Sequence, residues 1–172
     1  TRIAEYAAAV NEAGRHLLQL VDDILDVARS QTGALHAAEE PFDLKLVLCD
    51  ALQGAMPAIR AGRLEAALQL PDRLPWLRGD AVRLRQVLDK LLSNAVKFTP
   101  PDGRITLSAE ADDHMLTIRV SDTGIGVPPE HRARMFEPFT QLDSSLSRRF
   151  QGSGIGLHLA RTLALALGAT LA

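Results

Sequence analysis

Asn94 stands in an otherwise apolar helical pattern, and its amide oxygen suits a hard cation such as Mg²⁺, which takes oxygen ligands, keeps several waters and uses nucleotide phosphates for the rest. A lone asparagine among apolar neighbours is equally well read as a satisfied core hydrogen-bonder. Its company is more informative: Asp122-Thr123-Gly124-Ile125-Gly126, Phe136-Glu137-Pro138-Phe139 and Gly152-Ser153-Gly154-Ile155-Gly156-Leu157 follow in order. A semi-buried aspartate at the end of a strand accepts a hydrogen bond from an exocyclic amine, which selects adenine over guanine. A turn aspartate is the plain alternative, but Gly124 and Gly126 together suggest backbone approaching a flat ring closely. The glycines at 152, 154 and 156 open a helix whose unpaired N–H groups can face anionic oxygens, or they serve packing alone. Lys97, three residues after Asn94 on the same helix side, either adds charge near phosphates or is an ordinary solvated lysine. Arg148 and Arg149 can clamp a γ-phosphate or form a solvated basic turn.

These groups need elements to position them. Asp80 after Gly79 is a good N-cap, and Val82, Leu84, Val87, Leu88, Leu91, Leu92 and Val96 recur at helical spacing, which predicts one long helix from Asp80 to Phe98 with a core-facing side. Pro100 to Gly103 mark a turn. Ile105–Ala109 and Met115–Val120 then alternate as an antiparallel hairpin with Asp112 and Asp113 at its tip, and the second strand delivers Asp122. Upstream, Phe42 begins a short strand, and Leu44, Val47, Leu48, Ala51, Leu52 and Ala55 give a helix from Leu44 to about Arg60 its inward face. Arg63–Leu70 and Trp76–Arg78 read as strands separated by turn residues. Val127–Gln151 is too long for an ordinary connection and reads as functional or mobile. At the start, Ile3, Val10, Leu17 and Ile24 are seven apart, with Tyr6, Ala13, Leu20 and Val27 in the second seam position, so Thr1 to about Ser30 should be a helix that packs on other helices. Gly33 is its stop, and His36–Pro41 has linker composition.

The four segments together resemble the ATP-binding domain of sensor histidine kinases, within the superfamily that includes the DNA gyrase B subunit, Hsp90 and MutL. Asn94, Ala95, Lys97 and Phe98 match its asparagine box, Asp122, Gly124 and Gly126 its first glycine box, Phe136 and Phe139 its phenylalanine box, and Gly152, Gly154 and Gly156 its second glycine box. The stretch GRHLLQLVDDILDVARSQTG resembles the second helix of the kinase dimerisation hairpin. The resemblance implies ATP and Mg²⁺ as cofactors, Asn94 as metal ligand, and a nucleotide site made of Asn94, Lys97, Asp122, Gly124, Gly126, Arg148, Arg149, Gly152, Ser153, Gly154, Gly156 and Leu157. It implies a lid between the glycine boxes. The phosphoaccepting histidine belongs to a first helix not present in this chain, since none of His16, His36, His114, His131 and His158 is followed by the acidic residue and the basic, proline-containing segment of that context. Implied partners are that helix, a second subunit in a homodimer, and a response-regulator receiver domain.

The expected fold is α/β, a two-layer sandwich of helices on a mixed, mainly antiparallel sheet (the Bergerat type), preceded by one long bundle helix: 1–32 the hairpin helix, 33–40 a linker, and 41–172 the catalytic domain, expected to lack its last strands because Gly168–Leu171 resembles only the start of a terminal strand pair. A chain of 172 residues, 47% hydrophobic, buries one good core and a helical appendage. Its formal net charge of −2 predicts no general affinity for nucleic acid or an acidic membrane. The single cysteine, Cys49, excludes an internal disulfide and fits a reducing, cytoplasmic setting, and no apolar run is long enough to span a bilayer. One departure is Lys90, one turn before Asn94, where kinases of this type carry a second asparagine and the ATP-hydrolysing relatives a glutamate. A charged lysine neither ligates Mg²⁺ nor acts as a base, which disfavours hydrolysis by the gyrase or Hsp90 route. A degenerate nucleotide-binding or scaffold module of kinase origin is the alternative reading, with a gyrase or Hsp90-type ATPase behind it.

Overall fold

In the computed structural model the described residues are 39–112, 114–138, 140 and 154–172, together with 2, 3, 6, 7, 10, 11, 13, 14, 17, 18, 21 and 25. The chain divides into two compact units, Thr1–Leu35 and His36–Ala172. In the first, every described residue is helical and exposed, including Ile3, Tyr6, Val10 and Leu17 of the heptad pattern. Leu20, Ile24, Val27 and Gly33 lie outside the described residues.

The second unit begins with β1 (Glu40–Asp43), and Asp43 then caps α1 (Leu44–Ala61) by accepting from the Lys45 N–H at 2.8 Å. After β2 (Glu65–Gln69) and β3 (Trp76–Gly79) comes the central helix α2 (Ala81–Phe98). Asp80, extended at φ −100°, accepts from the Arg83 N–H at 3.0 Å and so satisfies one of the orphan donors that every helix start presents. The far end closes on Thr99, whose N–H and hydroxyl both donate to the Ala95 carbonyl, at 3.1 and 2.6 Å. β4 (Arg104–Ala111) and β5 (Leu116–Asp122) form the hairpin, with the Asp112 carboxylate at its tip accepting from the N–H groups of His114 and Met115, which lowers the Asp112 pKa. A single turn, α3 (Pro129–Arg132), and the last helix, α4 (Gly156–Ala166), complete the unit.

β1 pairs antiparallel with β3, while β2, β4 and β5 form a mixed sheet in that order, β2 parallel and β5 antiparallel to β4. Alternation along β4 buries Ile105, Leu107 and Ala109 on one face. Against that face lie Leu44, Leu48, Ala51 and Ile59 of α1 and Leu88, Leu92 and Ala95 of α2, so the helices form the second layer of the expected sandwich. Each fully buried leucine or isoleucine here contributes about 1.5–3 kcal/mol by leaving water. α4 packs on α2 and buries Leu159, Ala160, Leu163 and Ala164.

Several details differ from the expectations. Val82 is 69% exposed, because the buried stripe of α2 runs through Val87, Leu88, Leu92 and Ala95 and the first turn overshoots the core. Arg63 does not extend the β2 strand: it turns at φ 54°, and pairing starts at Glu65. Cys49 is half-buried. Gly168, at φ 72°, ends the turn after α4, and residues 169–172 form no strand. No described helix is long and apolar enough to cross a membrane.

Candidate functional site

α2 carries its polar residues on a stripe beside its buried face: Arg83, Gln86, Lys90, Asn94 and Lys97 are each half-buried. Asn94 therefore does sit at the margin of the core, one turn before the helix ends. The Lys97 ammonium lies 4.9 Å from the centroid of the Phe98 ring, and its partial burial, which disfavours the charged form, lowers its pKa from the ordinary lysine value.

β5 delivers Asp122 to the same end of α2. Its Oδ1 accepts from the Gly124 N–H at 2.8 Å, a local turn that aims the following residues at the helix. There the Ile125 N–H donates to the Phe98 carbonyl at 3.2 Å, and a Cβ on Gly124 would collide with that same oxygen. The Phe98 carbonyl is one of the last four of α2, which have no partner inside the helix, so the turn after β5 satisfies it while fixing the distance between the two motifs. Thr123 secures the base of the turn, its N–H donating to the Arg104 carbonyl at 3.0 Å and its hydroxyl oxygen accepting from the Arg104 N–H at 2.9 Å.

The two glycines of this turn thus have different reasons. Gly124 is required by the close approach of the Phe98 carbonyl, whereas Gly126 takes a left-handed φ of 68° in open space. Asp122 is exposed rather than semi-buried, since it is the last residue of a strand at the edge of its sheet. Of the second glycine box, Gly154 is left-handed at φ 69°, Gly156 opens α4 with no atom within 4 Å of a Cβ placed there, and Leu157 is half-buried. Arg148, Arg149, Gly152, Ser153 and Phe139 lie outside the described residues.

Phe136 is anchored on α4 in a way the sequence did not signal. His158 Nδ1 is 3.0 Å from the Phe136 carbonyl oxygen, and because a carbonyl only accepts, Nδ1 carries the proton in this contact. One turn on, the Arg161 guanidinium lies 5.5 Å from the centroid of the Phe136 ring. This gives His158 the structural role expected of the histidines of this chain. His114 is exposed and His131 half-buried, while His16 and His36 lie outside the described residues.

Residues 79–172, more than half of the chain, match the family model of histidine kinase-, DNA gyrase B-, and HSP90-like ATPases. The circadian input-output histidine kinase CikA of Synechococcus elongatus is 40% identical over 164 residues, spanning 94% of this chain and 22% of that protein. The histidine protein kinase DivJ of Caulobacter vibrioides is 38% identical over 167 residues, spanning 95% of this chain and 27% of that protein. The chain thus covers about a fifth to a quarter of the length of these relatives. Among solved structures, full-length ShkA in complex with AMPPNP superposes with a TM-score of 0.83 at 36% identity, over 98% of this chain and 35% of that one. The mycobacterial sensor histidine kinase MprB gives a TM-score of 0.65 at 27% identity, over 76% of this chain and 81% of that one. Helices layered on a mixed sheet are the architecture that the chain shares with these structures, and the chain is a member of the family of histidine kinase-, DNA gyrase B-, and HSP90-like ATPases.

Proposed function

We propose that this chain is the ATP·Mg²⁺-binding catalytic domain of a bacterial two-component sensor histidine kinase. It donates the ATP γ-phosphoryl group to a histidine on a helix outside this chain, for relay to an aspartate of a response-regulator receiver domain. The observation that carries the reading is the joint at the Phe98 carbonyl, because it sets the Asp122 carboxylate beside the last turns of α2, which bear Asn94 and Lys97. AMPPNP bound to a structural relative at 36% identity supports the nucleotide class.

In this reading Asp122 accepts from the adenine amino group, and Gly124 and Gly126 keep the turn thin enough for the ring. Lys97 and the backbone N–H groups of Gly152, Ser153, Gly154, Gly156 and Leu157 take the phosphates, with Arg148 and Arg149 at the γ-phosphate. The donor chemistry suits Mg²⁺: Asn94 offers a neutral oxygen at the edge of the core, and a hard cation held there would take its other ligands from phosphate and water. When bound, Mg²⁺ neutralises phosphate charge. Transfer breaks the bond between the γ-phosphorus and the bridging oxygen, forms a phosphorus–nitrogen bond to the acceptor imidazole and leaves ADP, so the chain's own part is positioning and charge neutralisation. The exposed heptad face of Ile3, Tyr6, Val10 and Leu17 supports packing on the acceptor helix and on a second subunit. The domain works in the cytoplasm, without nucleic acid and without membrane contact of its own.

Calorimetric titration with ATP and GTP tests the reading. ATP should bind at least about tenfold more tightly, a margin of about 1.4 kcal/mol, and Asp122→Ala should erase that preference. Equal binding of the two nucleotides by the parent chain removes the adenine-reading role.

A further inference from the structure

The polar stripe of α2 is more positive than a single metal ligand needs. Arg83, Gln86, Lys90, Asn94 and Lys97 follow one another at steps of three and four, all half-buried, while Val82, Asp89 and Ser93 on the adjoining stripe are exposed. Three of the five are cations and none is acidic. Arg83 Nε lies 3.5 Å from the Asp80 carboxylate, an ion pair without a hydrogen bond, since that buried nitrogen has no hydrogen-bond partner among the described residues. Lys90 and Lys97 bracket Asn94, and at ~1.5 Å rise per residue the pair spans only about 10 Å of helix axis. Long flexible stems let both ammonium groups reach one polyanion held over the amide. Behind Lys90, one helical step away, the Gln86 side-chain oxygen is buried and has no hydrogen-bond partner among the described residues. An acceptor in that place can steady an ammonium on the stripe and keep it from turning out to solvent.

We propose that Lys90 is a phosphate-contacting residue that supplies part of the positive charge a divalent cation otherwise supplies, so that this chain binds nucleotide with reduced dependence on Mg²⁺. The proposal rests on the ATP-binding reading above. An ammonium brought from Lys90 to the phosphates near Asn94 acts in two ways at once: it attracts the distal phosphates directly, and by like-charge repulsion it disfavours a second cation at the same oxygens. A nucleotide lacking those distal phosphates gains nothing from it.

The test is calorimetric titration of the whole chain with ATP and with AMP, each in Mg²⁺ and in excess EDTA. For the parent chain, removing Mg²⁺ should weaken ATP by less than about tenfold. For Lys90→Asn, whose amide can ligate metal but carries no charge, the loss should exceed about tenfold. Lys90→Met, which keeps the apolar stem, should weaken metal-free ATP by about tenfold or more and leave AMP unchanged. The same Mg²⁺ dependence in the parent and in Lys90→Asn overturns the proposal, as does a Lys90→Met effect of equal size on AMP, which would mark Lys90 as a packing residue. If none of the proteins binds ATP in either buffer, the ATP-binding reading fails and this one with it; parent binding with an unaltered metal dependence removes Lys90 alone.

Discussion

Lys97 shows how much a candidate site residue owes to its place on the helix. Burial lowers its pKa, on a stripe that it shares with Lys90, Asn94 and Gln86 and that carries no carboxylate of its own. Between the lowered folded value and the ordinary lysine value of 10.5, the unfolded chain binds more protons than the folded one, so this residue makes stability rise with pH across that window and costs stability below it. Phosphate binding has the opposite demand, because only the ammonium attracts the anion. Affinity for ATP should therefore decline as pH rises through the lowered Lys97 value, and Lys97→Arg, which stays charged, should flatten that decline. Titrations from neutral to alkaline pH check this: parallel profiles for the parent and Lys97→Arg would show that Lys97 does not face the phosphates.

At the scale of elements, the decisive contact is the seam between α2 and the turn after β5. Gly124→Ala forces a methyl group against the Phe98 carbonyl, and overpacking of this kind costs about 1–3 kcal/mol. Gly156→Ala is the contrasting change, with no atom within 4 Å of the added carbon at the first residue of α4, and it should be neutral or stabilising by up to about 1 kcal/mol. Urea unfolding separates the two, and equal midpoints would show that the seam yields without cost. The sequence made α1, α2 and the β4–β5 hairpin legible because capping aspartates, helical periodicity and strict alternation are local signals: Asp43, Asp80, and Ile105, Leu107 and Ala109 each carry one. It made Asn94, Asp122 and the glycines legible as candidates through their joint order. What it could not show is which partner each small or polar residue meets across the fold. The spacing of Gly124 and Gly126 suggested close approach to a flat ring, but it gave no sign that a Cβ on Gly124 would also meet the Phe98 carbonyl; His158 carried no spacing signal, since Phe136 lies 22 residues away. Val82 fitted the helical period but not the core, because periodicity fixes a face and not where along the helix the partner layer begins.

For the whole molecule, the division into Thr1–Leu35 and His36–Ala172 separates a helical unit with an exposed apolar stripe from a unit with its own closed core. A heptad helix alone cannot bury that stripe, whereas the second unit is held by contacts between helices and sheet that do not involve it. On the kinase reading proposed above, donor chemistry and acceptor recruitment are distinct properties that can be measured separately. Incubated with ATP and Mg²⁺, the chain should not label itself, because none of its five histidines stands in the acceptor context, and the His158 ring is engaged with the Phe136 carbonyl. Adding a separate peptide that carries the acceptor histidine and the matching first helix should restore acid-labile labelling, on the peptide and not on this chain. The exposed positions make the recruitment step independently testable. Val10→Asp and Leu17→Asp place charges in the stripe, so they should abolish labelling of the peptide while leaving ATP binding as it was. Acid-labile phosphate on His16 would place the acceptor within this chain and overturn the division of labour, and undiminished peptide labelling by the two charged variants would show that the acceptor reaches the donor site by another surface.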